Sequence, residues 1–290
     1  MCSECLLEIA GVRFRLETQE PLALTKEFKP FLTAESRTDF TIRYRQVEVL
    51  PPIPAEVLHE ECSYRVHPRP EGGYFRSFFD APRDLTPYGV VYPGAAEGEV
   101  LVDYLEKGAA GIMQITNSFF YPGFEDLMLR KDRLCFHAAC VDTPLGGILF
   151  SGRSGIGKST QAELWCRYRG ARQINGDRPV LSQSQSGWLA WGSPYAGSSG
   201  VHVNEHCAVS AIVMLRQAKE CSLRRLDMGE AFRAVWSGMT VHNWDEKFVE
   251  KVCDLTMNLI ADIPVYELAC TPDEAAVTTL EQMLRKERSL

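Results

Sequence analysis

A chain of 290 residues that is 45% hydrophobic and 24% charged has ordinary globular composition, which excludes a mainly disordered chain, a collagen-like repeat and a short disulfide-stapled mini-protein. Its length calls for one or two domains. The formal net charge of −7 leaves no surplus of Lys and Arg to neutralise phosphates along a duplex, so no nucleic-acid partner is expected.

The segment Met1-Cys2-Ser3-Glu4-Cys5 has no basic stretch followed by an apolar run and a small-residue cleavage site, so no secretory signal is expected. No apolar stretch reaches the ~18–20 residues that cross a bilayer. The expected setting is cytoplasmic, with no membrane partner. The ten cysteines are scattered, and Cys135, Cys140, Cys166 and Cys253 sit within apolar patterns as small buried hydrophobes do, which predicts reduced thiols. Cys2 and Cys5 form a C-x-x-C without the second ligand pair a zinc site needs.

The first half reads as β-rich. Val12, Phe14 and Leu16 alternate with Arg13 and Arg15, and Phe40, Ile42 and Tyr44 alternate with Thr41, Arg43 and Arg45, the period of half-buried strands. Pro51-Pro52-Ile53-Pro54 and the stretch from His67 to Gly73 read as breakers, and Tyr88 to Tyr92 and Glu99 to Leu105 as further strands. A mixed apolar pattern from Asn117 to Arg133 predicts a linking helix broken near Pro122-Gly123. No internal repeat is visible.

From Arg133 onward strand and helix signals alternate. Leu134 to Val141 is predicted as a strand, Asp142 to Gly146 as a turn, and Gly147 to Ser151 as a buried strand with a glycine-rich segment directly after it. A helix is expected over Lys158 to Arg169, with Ala162, Trp165 and Cys166 on one stripe and Gly170 past its end. Strand signals recur at Ala208 to Leu215 and Pro264 to Leu268, and helical ones at Gly229 to Gly238 and Asp245 to Ile260. In Thr271-Pro272-Asp273-Glu274 a capping hydroxyl, a first-turn proline and a glutamate three residues after the cap predict the start of a last helix running through Leu284.

The strongest chemical signal is Gly152-Arg153-Ser154-Gly155-Ile156-Gly157-Lys158-Ser159, which fits G-x-x-x-x-G-K-[ST] and is followed by Thr160. Glycines let backbone N–H groups turn inward around phosphate oxygens, the lysine adds a mobile positive charge at the β- and γ-phosphates, and the serine hydroxyl can ligate Mg²⁺. The motif's mechanism demands a place after a buried strand and at the head of a helix, and the pattern supplies both. The acidic residue that follows comes early, in Arg172-Gln173-Ile174-Asn175-Gly176-Asp177. Just before the loop, Cys135-Phe136-His137-Ala138-Ala139-Cys140 reads as a strand that sets His137 opposite Phe136 and leads through a tight turn into the loop strand, which brings His137 beside the phosphates.

This constellation resembles the carboxy-terminal catalytic domain of HPr kinase/phosphorylase and its relatives, whose fold is shared by the ATP-dependent phosphoenolpyruvate carboxykinases. The likeness is carried by Phe136-His137-Ala138, the loop from Gly152 to Thr160, Arg169-Gly170-Ala171 and Ile174-Asn175-Gly176-Asp177. It spans residues 131–290 and is specific over its first 50 residues; residues 1–130 match nothing nameable. Together with the strand alternation of the first half, the resemblance gives an α+β fold class: a β-rich amino-terminal domain of unknown role (1–130), read from its own pattern, precedes an ATP-binding domain (131–290) for which the resemblance implies a mixed sheet flanked by helices. It also implies that Lys158 binds phosphates, that Ser159 and Asp177 hold Mg²⁺, and that His137 lines the site near the metal or the transferred phosphoryl group.

One departure from the family's pattern bears directly on the chemistry. Where the family carries two adjacent aspartates, the first taken as the base that accepts the acceptor's proton, this chain has Gly176-Asp177. That leaves Asp177 or His137 as base, or late loss of the proton to solvent or phosphate, which a loose phosphoryl-transfer transition state permits. The HPr-recognition signature is absent too. In its place stands Gly192-Ser193-Pro194-Tyr195-Ala196-Gly197-Ser198-Ser199-Gly200, a loop either covering nucleotide or acceptor or simply connecting elements, so HPr itself is not the expected substrate.

Other groups weigh less. His202 and His206 lack a third ligand at metal spacing, Arg224 and Arg225 read as a solvated pair, and Trp244, Phe248 and Val252 at helical spacing read as core. The expected activity is ATP- and Mg²⁺-dependent transfer of the γ-phosphoryl group to a hydroxyl of a protein, peptide or small-molecule acceptor, with Mn²⁺ as a substitute metal and self-association left open. The alternative is a catalytically degenerate nucleotide-binding regulatory module, for which Gly176 speaks. A carboxykinase acting on a small acid is disfavoured, because the several arginines that would clamp carboxylate and phosphate are not found.

Overall fold

The computed structural model describes residues 3–19, 24–80, 84–112 and 123–288. Cys2 and the first part of the expected linking helix (residues 117–122) lie outside them. Contacts divide the chain into two compact units, Met1–Leu127 and Met128–Leu290, and the division falls within a short helix, α1 (Phe124–Arg130).

The first unit is built on an eight-stranded sheet. In chain order the strands are β1 (Ser3–Ile9), β2 (Val12–Thr18), β3 (Phe40–Gln46), β4 (His59–Glu60), β5 (Tyr64–Pro68), β6 (Tyr74–Asp80), β7 (Asp84–Pro93) and β8 (Glu99–Tyr104), and in space they run β1-β2-β3-β8-β7-β6-β5-β4. The alternation read from the sequence holds along β2, whose Val12, Phe14, Leu16 and Thr18 are buried while the residues between are half-buried. Arg13 and Arg15 point the other way and pair with Glu8 and Glu4 of β1. One expected breaker is instead strand: His67 and Pro68 end β5. The His67 ring is buried, with Nδ1 2.8 Å from the Glu56 carbonyl and Nε2 2.9 Å from Ser77 Oγ, and Pro68 is tolerated because it is the last strand residue, next to the hairpin turn.

The second unit places helices on both faces of a nine-stranded mixed sheet. Its strands are β9 (Arg133–Cys135), β10 (Ala138–Thr143), β11 (Gly146–Ser151), β12 (Arg172–Asn175), β13 (Val180–Ser184), β14 (Gly187–Trp191), β15 (His206–Gln217), β16 (Ser222–Arg225) and β17 (Val265–Cys270). The order is β12-β10-β11-β15-β14-β13-β9, with β17 beside the second half of β15 and β16 beside β17. Strands β11, β15 and β17 are mutually parallel, so their carboxyl ends share one edge, where open α/β sheets bind ligands.

Successive residues of β10 and β11 serve opposite faces, as the period of two requires. Ala138, Cys140 and Leu149 enter a core with Ala231, Val235, Phe248 and Val252 of helices α3 (Met228–Trp236) and α4 (Glu246–Asp262). Ala139, Val141, Ile148 and Phe150 enter the other, with Ala162 and Trp165 of α2 (Lys158–Arg169) and Ala276, Val277 and Leu280 of α5 (Glu274–Arg288). No helix among the described residues is long and apolar enough to cross a membrane.

Two expected details are corrected. The strand predicted over Leu134 to Val141 is broken at Phe136 and His137, because three consecutive N–H groups find partners outside a single ladder: Phe136 donates to the Pro179 carbonyl, His137 to Gly238 and Ala138 to Asp177. The last helix is capped by Asp273, whose Oδ1 accepts from the Ala275 N–H at 3.0 Å. The expected cap, Thr271, has its hydroxyl 3.4 Å from Cys221 Sγ instead.

Candidate functional site

Strand β11 is buried from Gly147 to Ser151 and delivers the chain to the glycine-rich loop at the sheet edge. Gly155 and Gly157 take φ of +75° and +114°, values that L side chains rarely adopt, and so the loop can curl and enter α2 within a few residues. Residues Arg153, Ser154, Gly155 and Thr160 are exposed, while Gly152, Ile156, Gly157 and Ser159 are half-buried. The first N–H groups of α2 have no intrahelical partner and lie at the positive end of the helix dipole, an arrangement that favours an anion. Lys158 is only 8% exposed; its Nζ donates to the carbonyls of Gly152 at 3.2 Å and Arg153 at 3.4 Å. Burial lowers its pKa, against the opposing pull of Asp177.

Asp177 is held by its backbone. The fully buried Asn175 ends β12, and its side-chain oxygen accepts from the N–H groups of Asp177 (3.0 Å) and Arg178 (2.8 Å) while its Nδ2 donates to the Ser193 carbonyl at 3.0 Å. The Asp177 carbonyl accepts from the Ala138 N–H at 3.0 Å. Its Oδ1 lies 3.3 Å from His137 Nδ1. The His137 carbonyl in turn accepts from the Ser151 hydroxyl at 2.7 Å, and Ser151 directly precedes Gly152. The break in the expected strand is therefore what turns His137 toward Asp177. Burial and the positive charge of Lys158 lower the His137 pKa, outweighing the neighbouring carboxylate, so the neutral imidazole is favoured.

His137, Lys158 and Asp177, separated in sequence, are thus neighbours at the mouth of the loop. Asp177 and the Ser159 hydroxyl are hard oxygen donors of the kind Mg²⁺ takes. Among the described residues no group of three or more His, Cys, Asp or Glu side chains is set to hold a metal alone.

The glycine at 176 has a steric cause. A Cβ there would collide with Ser199 Oγ and come within 2.7 Å of the Ala196 carbonyl oxygen, because the turn Gly197–Ser199 packs on the Gly176-Asp177 backbone. Gly197 is held closely as well, since a Cβ on it would come within 2.7 Å of Asp177 Cβ. Gly176→Ala is expected to cost about 1–3 kcal/mol, the penalty of overpacking, read as a lowered Tm, and Ser199→Gly in the same chain should recover part of it. An unchanged Tm on Gly176→Ala would contradict this packing.

The remaining candidates are engaged elsewhere. His202 bridges to Asn175, His206 opens β15 with its ring 4.2 Å from that of Trp191, and Glu205 pairs with Arg172. Arg224 pairs with Glu230 and Glu267, and Arg225 with Glu287. Phe248 and Val252 are core, with Trp244 half-buried. One residue beside the loop escaped the sequence reading: Gln161, buried on the first turn of α2.

No family model and no curated protein sequence matches this chain. Among solved structures, the HPr(Ser) kinase/phosphatase from Coxiella burnetii is similar over 53% of this chain and 90% of that chain, at 15% identity and a TM-score of 0.31. The relation is a distant structural one.

Proposed function

We propose that the second unit is a kinase that binds Mg·ATP at the Gly152–Thr160 loop and transfers the γ-phosphoryl group to a hydroxyl of a protein, peptide or small-molecule acceptor. The observation that carries this reading is the convergence of the Lys158 ammonium, the His137 imidazole and the Asp177 carboxylate at the rim of a glycine-rich strand-to-helix loop. Under it, the loop and the head of α2 cradle the phosphates, Lys158 leaves the carbonyls of Gly152 and Arg153 for the β- and γ-phosphates, and Ser159 and Asp177 are the residues that would hold Mg²⁺, or Mn²⁺ in its place. The ion supplies charge neutralisation on the transferred group. His137, neutral and next to Asp177, takes the acceptor's proton in place of the carboxylate that position 176 has no room for.

Titration calorimetry with Mg·ATP tests the binding. Lys158→Ala should weaken it about tenfold to a hundredfold, the 1.5–3 kcal/mol of a charge-assisted hydrogen bond, and should leave the fold intact because Nζ is bonded only to loop carbonyls. Equal affinity in the two proteins would defeat the assignment. The alternative, a nucleotide-binding module without catalysis, is favoured by the filled space at Gly176. A screen with radiolabelled ATP against peptide, protein and metabolite pools separates the two, since binding without transfer under Mg²⁺ and Mn²⁺ selects the module.

A further inference from the structure

Beside the loop lies a groove of about 380 Å³, within the size range of small-molecule sites, that shares one wall with the loop and whose far wall the phosphate reading leaves unused. It adjoins Ile156 of the loop, Thr160 and Gln161 of α2, Gln217 at the end of β15, and Thr271 and Pro272 just past β17. It thus opens at the shared carboxyl edge of the three parallel strands, on the side of Thr160 away from Lys158 in sequence. No charged side chain lines it.

The informative residue is Gln161, in the groove's wall and only 3% exposed. Its Nε2 lies 3.3 Å from Cys270 Sγ and 3.4 Å from the Thr271 carbonyl oxygen. A carbonyl oxygen can only accept, so the carboxamide turns its nitrogen to Thr271 and leaves its oxygen as the spare group. That oxygen, Oε1, is buried and has no hydrogen-bond partner. A buried acceptor left unmet is destabilising, and such groups are otherwise rare enough to mark a place where a ligand completes the bonding. What completes it must be a donor. With Pro272 and Ile156 offering apolar surface and no charged side chain among the lining residues, the occupant that fits is a neutral group bearing N–H, attached to whatever the loop holds.

We propose that this groove takes the nucleoside end of the nucleotide, and that Gln161 Oε1 accepts a hydrogen bond from the exocyclic amino group of the base. Gln161 is then a specificity-determining residue. It selects adenine, which offers an amine at that position, over hypoxanthine, which offers a carbonyl oxygen and would set two acceptors against each other. The inference rests on the reading of Gly152–Thr160 as a phosphate site.

The test is calorimetry on the full chain with Mg·ATP, Mg·ITP and inorganic tripolyphosphate, for the wild type and for Gln161→Leu, which keeps side-chain bulk and removes both polar atoms. The wild type should prefer ATP to ITP about tenfold, or 1.4 kcal/mol. Gln161→Leu should bind ATP and ITP alike with tripolyphosphate affinity unchanged, and that unchanged value shows the loop to be folded. Should the variant not fold, the wild-type ATP-to-ITP ratio reads the preference without it. Wild-type binding of tripolyphosphate with no preference between the two nucleotides, or a preference that survives in Gln161→Leu, overturns the proposal and leaves the phosphate reading standing. Failure of the wild type to bind tripolyphosphate or either nucleotide overturns both.

Discussion

Asp177→Asn is expected to leave the protein folded and to lower turnover about 10²–10³-fold, with a raised requirement for Mg²⁺. The fold survives because Asp177 is fixed through its own N–H, bonded to Asn175 Oδ1, and its own carbonyl, bonded to Ala138, neither of which the substitution touches. The loss follows from removing the anionic ligand while keeping its size: metal stabilisation of transition-state charge amounts to several kcal/mol, and each 1.36 kcal/mol is a factor of ten in rate. A second effect has a definite sign. Asp177 holds the His137 pKa up, so the asparagine variant should lower that pKa further and move any acid limb of the rate profile to lower pH. Steady-state kinetics across pH and Mg²⁺ concentration check both, and a variant with wild-type turnover and metal dependence would remove Asp177 from the site.

His137→Gln is expected to lower kcat by roughly two to four orders of magnitude, the range for loss of a general base. Under the proposed function the active form of His137 is the neutral imidazole, so the rate should rise as pH rises through its pKa and be flat above it. The free imidazole value is about 6.5, and burial together with Lys158 sets the value in this protein below it. The limb should therefore lie on the acid side of about pH 6.5 and vanish in the variant. Glutamine retains polarity but cannot carry the proton. The His137 side chain is 37% exposed and its backbone is tied to Gly238 and Ser151, so a loss of rate should come without a large loss of Tm. If His137 only orients the metal, saturating Mg²⁺ or Mn²⁺ restores the rate. Wild-type kcat, metal dependence and pH profile together would exclude both roles.

The run from Gly147 to Arg169 was legible in the sequence because every signal in it is local. A buried apolar strand, glycines that can take positive φ, a helix opening at Lys158 and a left-handed Gly170 at its end each act within a few residues of chain, and α2 spans Lys158–Arg169 as expected. The break at His137 was not legible, since it is imposed by the Pro179, Gly238 and Asp177 carbonyls, all distant in sequence. The resemblance set Gly176 where the HPr kinase family carries an aspartate, but the steric reason for glycine there was not legible, because the obstruction comes from Ser199 and Ala196, far along the chain. Gln161 carries no local signal, because the groups that enclose it, Cys270 at the end of β17 and Thr271 just past it, are more than a hundred residues away in sequence. In the first unit, His67-Pro68 read as punctuation, and it is the antiparallel pairing of His67 with Phe75 and Pro68 with Tyr74 on β6 that makes the segment strand.

The parallel pairing of β11 with β15, and of β15 with β17, also bears on when the loop can take shape. Ile148 aligns with Ala211, and Ile212 with Val265, so the strand that carries the glycine-rich loop gains its neighbour only after about sixty further residues have been synthesised, and the groove gains its far wall only about fifty residues later still. Contacts of such long sequence separation are costly in loop-closure entropy and slow to form. A growing chain that has already exposed Gly152–Lys158 has therefore not yet built the surface against which that loop rests. Within this unit the site is completed from its carboxyl-terminal side, by Val265–Cys270 and the helix that follows.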